Sequence, residues 1–401
     1  HIGGAKWKDE AVANVRRMIE RDWNHPSVIL WGVRINESPD DDAFYERTNR
    51  LAHELDTTRQ TGGIRKHTGS TLLEDVYTFN DFVLGDEERP GSNRARTALR
   101  DQNEVTGLAH KVPYLITEHN GHMFPTKAGD QEQRQIEHVT RHLEIIDAAY
   151  GDDHIAGCIG WCMFDYNTHK DFGSGDRVCH HGVMTMYREP KFAAYAYASQ
   201  GAPENKVILK PVTHWARGER NIGGTLPLMI LTNCDYVQLR FASGAILDLY
   251  PDQKRFAHLP HPPVMLNPED LGGSELGKWG MQWHDIEFAG YVDGKQVAHL
   301  KMVADPVATR LNVSAGRWQK DAQASEVRVS VQAVDQVGNT LPFFSDPVRF
   351  EVHGPGSLTG PATRSLQAGA TACWIKTNGD PASVSVTVSC DRLPDITLNL
   401  G

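Results

Sequence analysis

Two glutamates stand directly after apolar runs in the first third of the sequence. Glu37 follows residues 28–35, and Glu118 follows residues 113–117. A short apolar run is typical of a strand buried on both faces. Parallel strands in α/β barrels bring their carboxyl ends, and their chemistry, to one rim. The sequence therefore predicts two carboxylates at one rim, although either glutamate taken alone is more often a solvated strand-end residue.

Paired carboxylates at one rim suit the hydrolysis of a glycosidic bond. One donates a proton to the leaving oxygen, and the other attacks the anomeric carbon or activates water. The two groups then need different pKa values. Their separation, about 5–5.5 Å for retention of configuration or about 6.5–9.5 Å for inversion, is not fixed by residue types, so both outcomes stay open at this point.

Five further side chains could assist this chemistry. Asn36 could bind a sugar hydroxyl or simply hold a strand end, and Trp161 could stack on a pyranose ring or pack in the core. His119 and His122 could bind sugar hydroxyls or a metal, or have a structural role. Tyr77 could hydrogen-bond a catalytic carboxylate, but a role as a core aromatic residue explains it equally well.

Strands alternate with helices up to about residue 200, as in βαβ units. We predict strands at residues 28–33, 61–64, 72–79, 112–117 and 155–161. We predict helices at residues 9–22, from Ser38 to Leu55, near 103–110, at 130–150 and from Pro190 to Ala198. The later sequence is rich in short alternating runs that are typical of β-sandwiches. The predicted domains are an α/β domain at 1–203 and two β-sandwiches at 204–320 and 321–401.

Composition excludes several other functions. The net charge of −10, without a basic stripe, argues against nucleic acid binding. No apolar run approaches the ~20 residues that span a bilayer, so we expect bacterial cytoplasm or periplasm rather than a membrane. Nucleotide-binding motifs are absent. Cys373 and Cys390 could face each other in the last sandwich and form a disulfide, whereas the other cysteines suggest neither a disulfide nor a metal site.

Three tracts carry a family resemblance. The run Arg-Asp-Trp-Asn-His-Pro-Ser-Val-Ile-Leu-Trp at 21–31, continuing into Asn36 and Glu37, resembles the acid/base signature of glycoside hydrolase family 2. The tract at 114–122 is similar to the nucleophile segment of that family, and the tract at 160–166 to its eighth barrel strand. The family includes β-galactosidases, β-glucuronidases and β-mannosidases.

The resemblance implies a role for each candidate residue. Glu37 would be the acid/base after strand 4 and Glu118 the nucleophile after strand 7 of a (β/α)8 TIM barrel, which implies a retaining double displacement. Asn36 would hold the sugar 2-hydroxyl, and Trp161 would line the −1 subsite. Tyr77 would be the strand-6 tyrosine that steadies the nucleophile. Arg34-Ile35 stands where a glycine often precedes the Asn-Glu pair, which is a departure from the pattern.

The resemblance also implies partners. Residues 1–203 would be the C-terminal part of the barrel, strands 4–8, followed by two immunoglobulin-like β-sandwiches. A second polypeptide or a cleaved N-terminal part would then supply strands 1–3, and an oligomer is expected. No cofactor is required by the residues seen. Some relatives use magnesium or sodium, with ligands partly in the strands that this sequence lacks.

A terminal β-galactoside is the expected substrate. The Asn-x-Lys carboxylate clamp of β-glucuronidases is not evident after Glu118, although Lys127 leaves an acidic sugar open. One alternative is a non-catalytic carbohydrate-binding or scaffolding subunit that retains the barrel strands. A second alternative is an adhesin that uses only the β-modules of residues 206–401, but it leaves both glutamates unexplained.

Overall fold

The computed structural model describes residues 2–220, 223–271, 283–320 and 325–401. The chain forms two compact units. The first contains His1–Pro125 and Arg141–Met163, and the second contains Thr126–Thr140 and Phe164–Gly401.

The first unit is built on a five-stranded parallel sheet with helices between its strands. Its strands are β1 Leu30–Gly32, β2 Gln60–Arg65, β3 Val76–Asn80, β4 Tyr114–Glu118 and β5 Ile155–Cys158. Their spatial order follows the sequence, β1-β2-β3-β4-β5, and each neighbouring pair is parallel. The five predicted strands are therefore present, and the carboxyl ends of β1 and β4 lie at the same edge.

Capping aspartates and a left-handed glycine mark helix ends in this unit. They are α1 Ala5–Asp22, α2 Asp42–Leu55, α3 Gln102–Thr106 and α4 Glu132–Tyr150, the last of which crosses from the second unit into the first. Asp41 caps α2 by accepting from the Phe44 backbone N–H at 3.1 Å. Asp101 caps α3, which stops at Gly107 in the left-handed conformation.

Apolar side chains pack on one face of the parallel sheet. Trp31 and Val33 contact Ile19 of α1 and Ala52 of α2, and all four are almost fully buried. A second cluster forms around β3 and β4, with Phe79 and Ile116 among its members. The pairing register places both clusters on the same face of the sheet.

The second unit contains a short hairpin, one helix and two β-sandwiches. The hairpin strands are β6 Tyr166–Asn167 and β7 Val178–Cys179, and the helix is α5 Phe192–Ala198. The strands of the first sandwich are β8 Leu209–Pro211, β9 Leu228–Thr232, β10 Tyr236–Phe241, β11 Ile246–Leu249, β12 Val264–Leu266, β13 Ile286–Val292 and β14 Lys295–Met302. They form the sheets β12-β9-β8 and β11-β10-β13-β14, which enclose a core around Trp215 and Phe288.

The second sandwich follows the same plan. Its strands are β15 Arg310–Ala315, β16 Gln319–Lys320, β17 Ser325–Val334, β18 Pro347–His353, β19 Gly356–Thr359, β20 Thr363–Ser365, β21 Ala370–Thr377, β22 Ser385–Cys390 and β23 Leu393–Asn399. One sheet has the order β15-β17-β21-β19, with β16 also on β17, and the other has the order β20-β18-β22-β23. The core between them includes Val329, Phe350 and Ile375.

Two sequence predictions about these sandwiches are wrong. The domain boundary at 320/321 is too late, because β15 pairs with β17 from Arg310↔Val334 to Ala315↔Val329 and so belongs to the last sandwich. Residues 321–324, next to the predicted boundary, lie outside the described residues. Cys373 and Cys390 are both buried in the core, but each is a free thiol.

Within the described ranges, none of the helices is long and apolar enough to cross a lipid bilayer.

Candidate active site

Glu37 lies in the loop after β1, in an unusual backbone conformation. Its φ is 58°, a left-handed value that a residue with a Cβ adopts only at an energetic cost. Its side chain is exposed. The preceding Asn36 directs its amide toward the second carboxylate, with Nδ2 3.5 Å from Glu118 Oε1. The loop therefore presents both of its polar residues at the edge where β4 ends.

Glu118 is the last residue of β4 and is half-buried. Burial raises the pKa of its carboxyl group, a hydrogen bond from Asn80 opposes that change, and the charge of Glu37 raises the pKa further. The two carboxylates are thus near enough to repel each other. The predicted pair is brought together.

Asn80 was not among the predicted site residues. It ends β3 and is the register partner of Glu118 across a bulge between β3 and β4. Thr117 donates its hydroxyl proton to Asn80 Oδ1 at 2.8 Å, which orients the amide so that its nitrogen faces Glu118. The only signal in the sequence is a polar residue at the end of an apolar run, the same signal that identified both glutamates.

Trp161 lies just beyond β5, not within it as predicted, and packs on the segment that follows Glu118. Its backbone N–H donates to the carbonyl of His119 at 3.0 Å, and it forms a parallel bridge with Asn120. A Cβ on Gly121, whose φ is 48°, would lie 2.8 Å from Trp161 Cδ1. The Trp161–Cys162 peptide bond is cis. Glycine at 121 thus lets the indole approach the loop after Glu118.

The two histidines differ in their surroundings. His119 is fully buried, and burial lowers the pKa of its imidazole to about 3, so the ring stays neutral at working pH. The ring of His122 packs against Phe82 with centroids 4.6 Å apart. Burial and the charge of Arg89 lower the pKa of His122, and the charge of Glu37 opposes that change. Neutral imidazoles can hydrogen-bond a sugar but supply no positive charge.

Asn120 is a further polar residue of this segment. It is 97% buried, with an exposed fraction of 3%, and its φ is 62°. Among the described residues, neither atom of its side-chain amide has a hydrogen-bond partner. Burying an amide without hydrogen-bond partners costs free energy. Both atoms of the Asn120 amide can therefore still form hydrogen bonds with another molecule.

Tyr77 is not placed where the sequence predicted. It is fully buried and pairs with Tyr114, four residues before Glu118, so it lies toward the opposite end of the strands. Its hydroxyl donates to the Val105 carbonyl at 3.4 Å, and the Arg65 guanidinium covers its ring at 3.9 Å. Tyr77 is therefore a core aromatic residue. In this structure, Asn80 provides the hydrogen bond to Glu118.

A buried ion network supports the Asn36–Glu37 loop. Glu74 lies between two guanidiniums: Arg34 Nε is 3.0 Å from its Oε1, and Arg65 binds its Oε2. Arg34 also contacts Asp40 at 3.0 Å and stacks over Tyr45 at 4.4 Å. Arg34 is therefore a charged anchor directly before the loop.

This arrangement can carry out acid/base and nucleophilic chemistry at one bond. Glycoside cleavage needs two carboxylates that act on one bond. Here the two carboxylates are electrostatically coupled, amides lie on both sides of them, and an aromatic ring lies at the edge. Within the described residues, no group of three or more histidine, cysteine, aspartate or glutamate side chains is placed to hold a metal ion.

Two protein-family models match this chain. Residues 3–203 match the domain described as "Glycosyl hydrolases family 2, TIM barrel domain". Residues 310–399 match "Glycoside hydrolase family 2 C-terminal domain 5", a match that begins at β15, as the strand pairing does.

Individual relatives extend the likeness over nearly the whole chain. A β-galactosidase of Thermoanaerobacterium thermosulfurigenes is 52% identical over 376 residues, covering 92% of this chain and 51% of the relative. A β-galactosidase of Rhizobium meliloti is 54% identical over 342 residues, covering 85% of this chain and 45% of the relative. The chain thus spans about half the length of the curated relatives it matches.

Solved structures show the same fold. A β-glycosidase from Bacteroides vulgatus aligns with a TM-score of 0.69 and 18% identity, over 96% of this chain and 52% of its own. With the barrel match over residues 3–203 and the C-terminal match over residues 310–399, the chain belongs to glycoside hydrolase family 2.

Proposed function

We propose that this chain carries the catalytic residues of a retaining, exo-acting β-galactosidase. The observation that carries the proposal is the pairing of Glu37 and Glu118 at one edge of a parallel sheet, with coupled charges. The family assignment and the relatives named β-galactosidase, 52% and 54% identical, support the reaction and the sugar.

In the proposed mechanism Glu118 is the nucleophile and Glu37 the acid/base. Glu118 attacks the anomeric carbon while Glu37 protonates the departing glycosidic oxygen, giving a covalent glycosyl-enzyme and the free aglycone. Glu37 then takes a proton from water, which attacks the same carbon and displaces Glu118. Two inversions leave the anomeric configuration unchanged.

The neighbouring residues would position the sugar. Asn36, already directed toward Glu118, would bind the 2-hydroxyl, where hydrogen bonds strengthen in the transition state. The Trp161 indole would form an apolar wall for the pyranose. His119, kept neutral by burial, and His122 would hydrogen-bond other hydroxyls.

We further propose that β1–β5 correspond to strands 4–8 of an eight-stranded barrel, followed by two immunoglobulin-like sandwiches. Among the described residues, β1 and β5 each pair with a neighbour on one side only, and strand edges are normally covered. The relatives are about twice as long as this chain. A further polypeptide segment would supply strands 1–3, within an oligomer. Intact and native mass spectrometry of the purified protein should then show polypeptide mass beyond these 401 residues, in the same chain or in a second one.

The test of activity is turnover of p-nitrophenyl β-D-galactoside, compared with the β-D-glucuronide and β-D-mannoside, by the protein with the polypeptides that co-purify with it. We expect the galactoside to be preferred and Glu118→Gln to lose about 10³-fold or more in kcat. Proton NMR of the first product should show the β-anomer. Turnover that survives in Glu118→Gln, or a first product in the α-form, would refute the mechanism. Sugar binding without turnover, unchanged by Glu37→Gln, would instead indicate a non-catalytic subunit.

A further inference from the structure

A cavity of about 340 Å³ lies within the second unit, away from the residues that carry the proposed reaction. Its walls are formed by α5, β8, the end of β14 and two turns of the last sandwich, at residues 339–342 and 367–370. Most of these wall residues are apolar. The volume lies within the range of small-molecule sites in proteins.

One cation, Lys210 of β8, faces this cavity. Its ammonium lies 5.3 Å from the Phe192 ring and 5.4 Å from the Tyr195 ring. Among the described residues no carboxylate forms an ion pair or hydrogen bond with it, and burial alone lowers its pKa. Two aromatic faces stabilise a cation only partly. A partly buried ammonium without an ion-pair partner among the described residues is therefore the unusual feature of this cavity.

The acidic residues of the cavity wall accept hydrogen bonds from groups other than Lys210. Glu189 accepts hydrogen bonds from Arg328, Ser330 and Gln332. Asp335 accepts from the backbone N–H groups of Val337 at 3.0 Å and Asn339 at 2.8 Å. Neither carboxylate is turned to Lys210.

The remaining charge in the cavity is positive. Lys191, a second lysine of the wall, is neutralised by Asp165 at 2.7 Å. His214 stays neutral, because burial and the charges of Lys210 and Arg220 lower its pKa to about 3. An incoming negative group would meet Lys210 with no carboxylate of the described residues already paired to it.

We propose that this cavity binds a small organic anion, with a carboxylate or phosphate group on the Lys210 ammonium and an apolar body against the Phe192 and Tyr195 side of the wall. A body of roughly ten non-hydrogen atoms fits the volume, taking ~30 Å³ for each water-sized group. Charge pairing in a partly desolvated pocket is strong because little solvent screens it. This site is independent of the proposed glycosidase reaction.

The test is isothermal titration of the protein with two probes, sodium benzoate and inorganic phosphate, at constant ionic strength. We expect at least one to bind with one-to-one stoichiometry and a Kd below about 10 mM. Lys210→Met should weaken that binding at least about tenfold. Lys206→Met, at an exposed lysine just before β8, should leave it unchanged. Binding of benzoate alone identifies a carboxylate ligand, and binding of phosphate alone a phosphate ligand.

A second measurement needs no variant. Acetic anhydride labelling followed by peptide mass spectrometry should show that the bound probe protects Lys210 but not Lys206. Binding should also weaken as pH rises through the lowered pKa of Lys210. The proposal is overturned if neither probe saturates, if Lys210→Met binds as tightly as the unaltered protein, or if the probes protect both lysines equally.

Discussion

At the scale of single residues, the two glutamates have different environments, and this difference should appear in the pH profile. Burial and the Glu37 charge raise the pKa of Glu118, which must be ionised to attack. Activity should therefore fall, as pH decreases, at a pH above the ordinary glutamate value of about 4.3. Measuring kcat/KM against pH locates this acid limb.

The contribution of Glu37 to that limb can be isolated. Glu37→Gln removes one negative charge, so the pKa of Glu118 should decrease and the acid limb should move to lower pH. With 2,4-dinitrophenyl β-D-galactoside, whose leaving group needs no proton, the variant should remain measurable. An acid limb that stays in place or moves upward would contradict the coupling between the two carboxylates.

The backbone of Glu37 makes a second residue-scale prediction. Since its φ of 58° favours glycine, Glu37→Gly should be more stable than Glu37→Ala by about 1 kcal/mol in urea unfolding, with both inactive. The control is Glu46, an exposed residue within α2, where glycine should be less stable than alanine by about 1 kcal/mol. Equal stability of the two Glu37 variants would mean that the loop is not strained.

At the scale of elements, the Arg34–Glu74–Arg65 network holds the loop that follows β1. The side chains of Glu74 and Arg65 are fully buried and that of Arg34 nearly so. Glu74→Gln leaves two guanidiniums without a full counter-charge and should cost about 3–5 kcal/mol of unfolding free energy. Glu20→Gln, which breaks an exposed pair with Arg16 at 3.5 Å, should cost no more than about 0.5 kcal/mol. Similar losses for both variants would show that the network contributes little.

Prediction from sequence succeeded for elements whose signal is local. Mostly apolar runs identified four of the five parallel strands, and a short Thr-Gly-Gly-Ile segment at 61–64 identified β2. Prediction from sequence failed where the position of a side chain depends on how distant segments of the chain pair. The position of Tyr77 and the contact of Asn80 with Glu118 follow from the β3–β4 register and its bulge. Arg34 and Glu74 are 40 residues apart, and no local pattern links them.

At the scale of the whole molecule, stability rests on packed cores without covalent cross-links between cysteines. All six cysteines are free thiols, and burial raises the pKa of Cys158 and Cys373 to about 12. Reducing agent should therefore leave the melting temperature unchanged, whereas loss of a native disulfide typically costs about 2–5 kcal/mol. Thiol titration in denaturant should give six groups with or without prior reduction. A lower count before reduction would contradict the structure.

The domain plan was also predicted only in part. The change from helix-and-strand alternation to short alternating strands near residue 203 agrees with β8 beginning at Leu209. The next boundary was placed too late, because two adjacent sandwiches have the same local pattern on either side of it. Only the pairing of β15 with β17 assigns Arg310–Ala315 to the last sandwich. Pairing between distant segments, not composition, defines such a boundary.

The contact between Gly121 and Trp161 has a consequence for how sugar selectivity could evolve. A side chain at 121 would collide with the indole, so the segment after the proposed nucleophile and the aromatic wall of the proposed sugar pocket cannot be altered one at a time. Substitutions on the two segments should show strong epistasis. A mutational path toward a different sugar would then have to pass through paired changes, and libraries that randomise 121 and 161 together should recover active variants that single-site scanning misses.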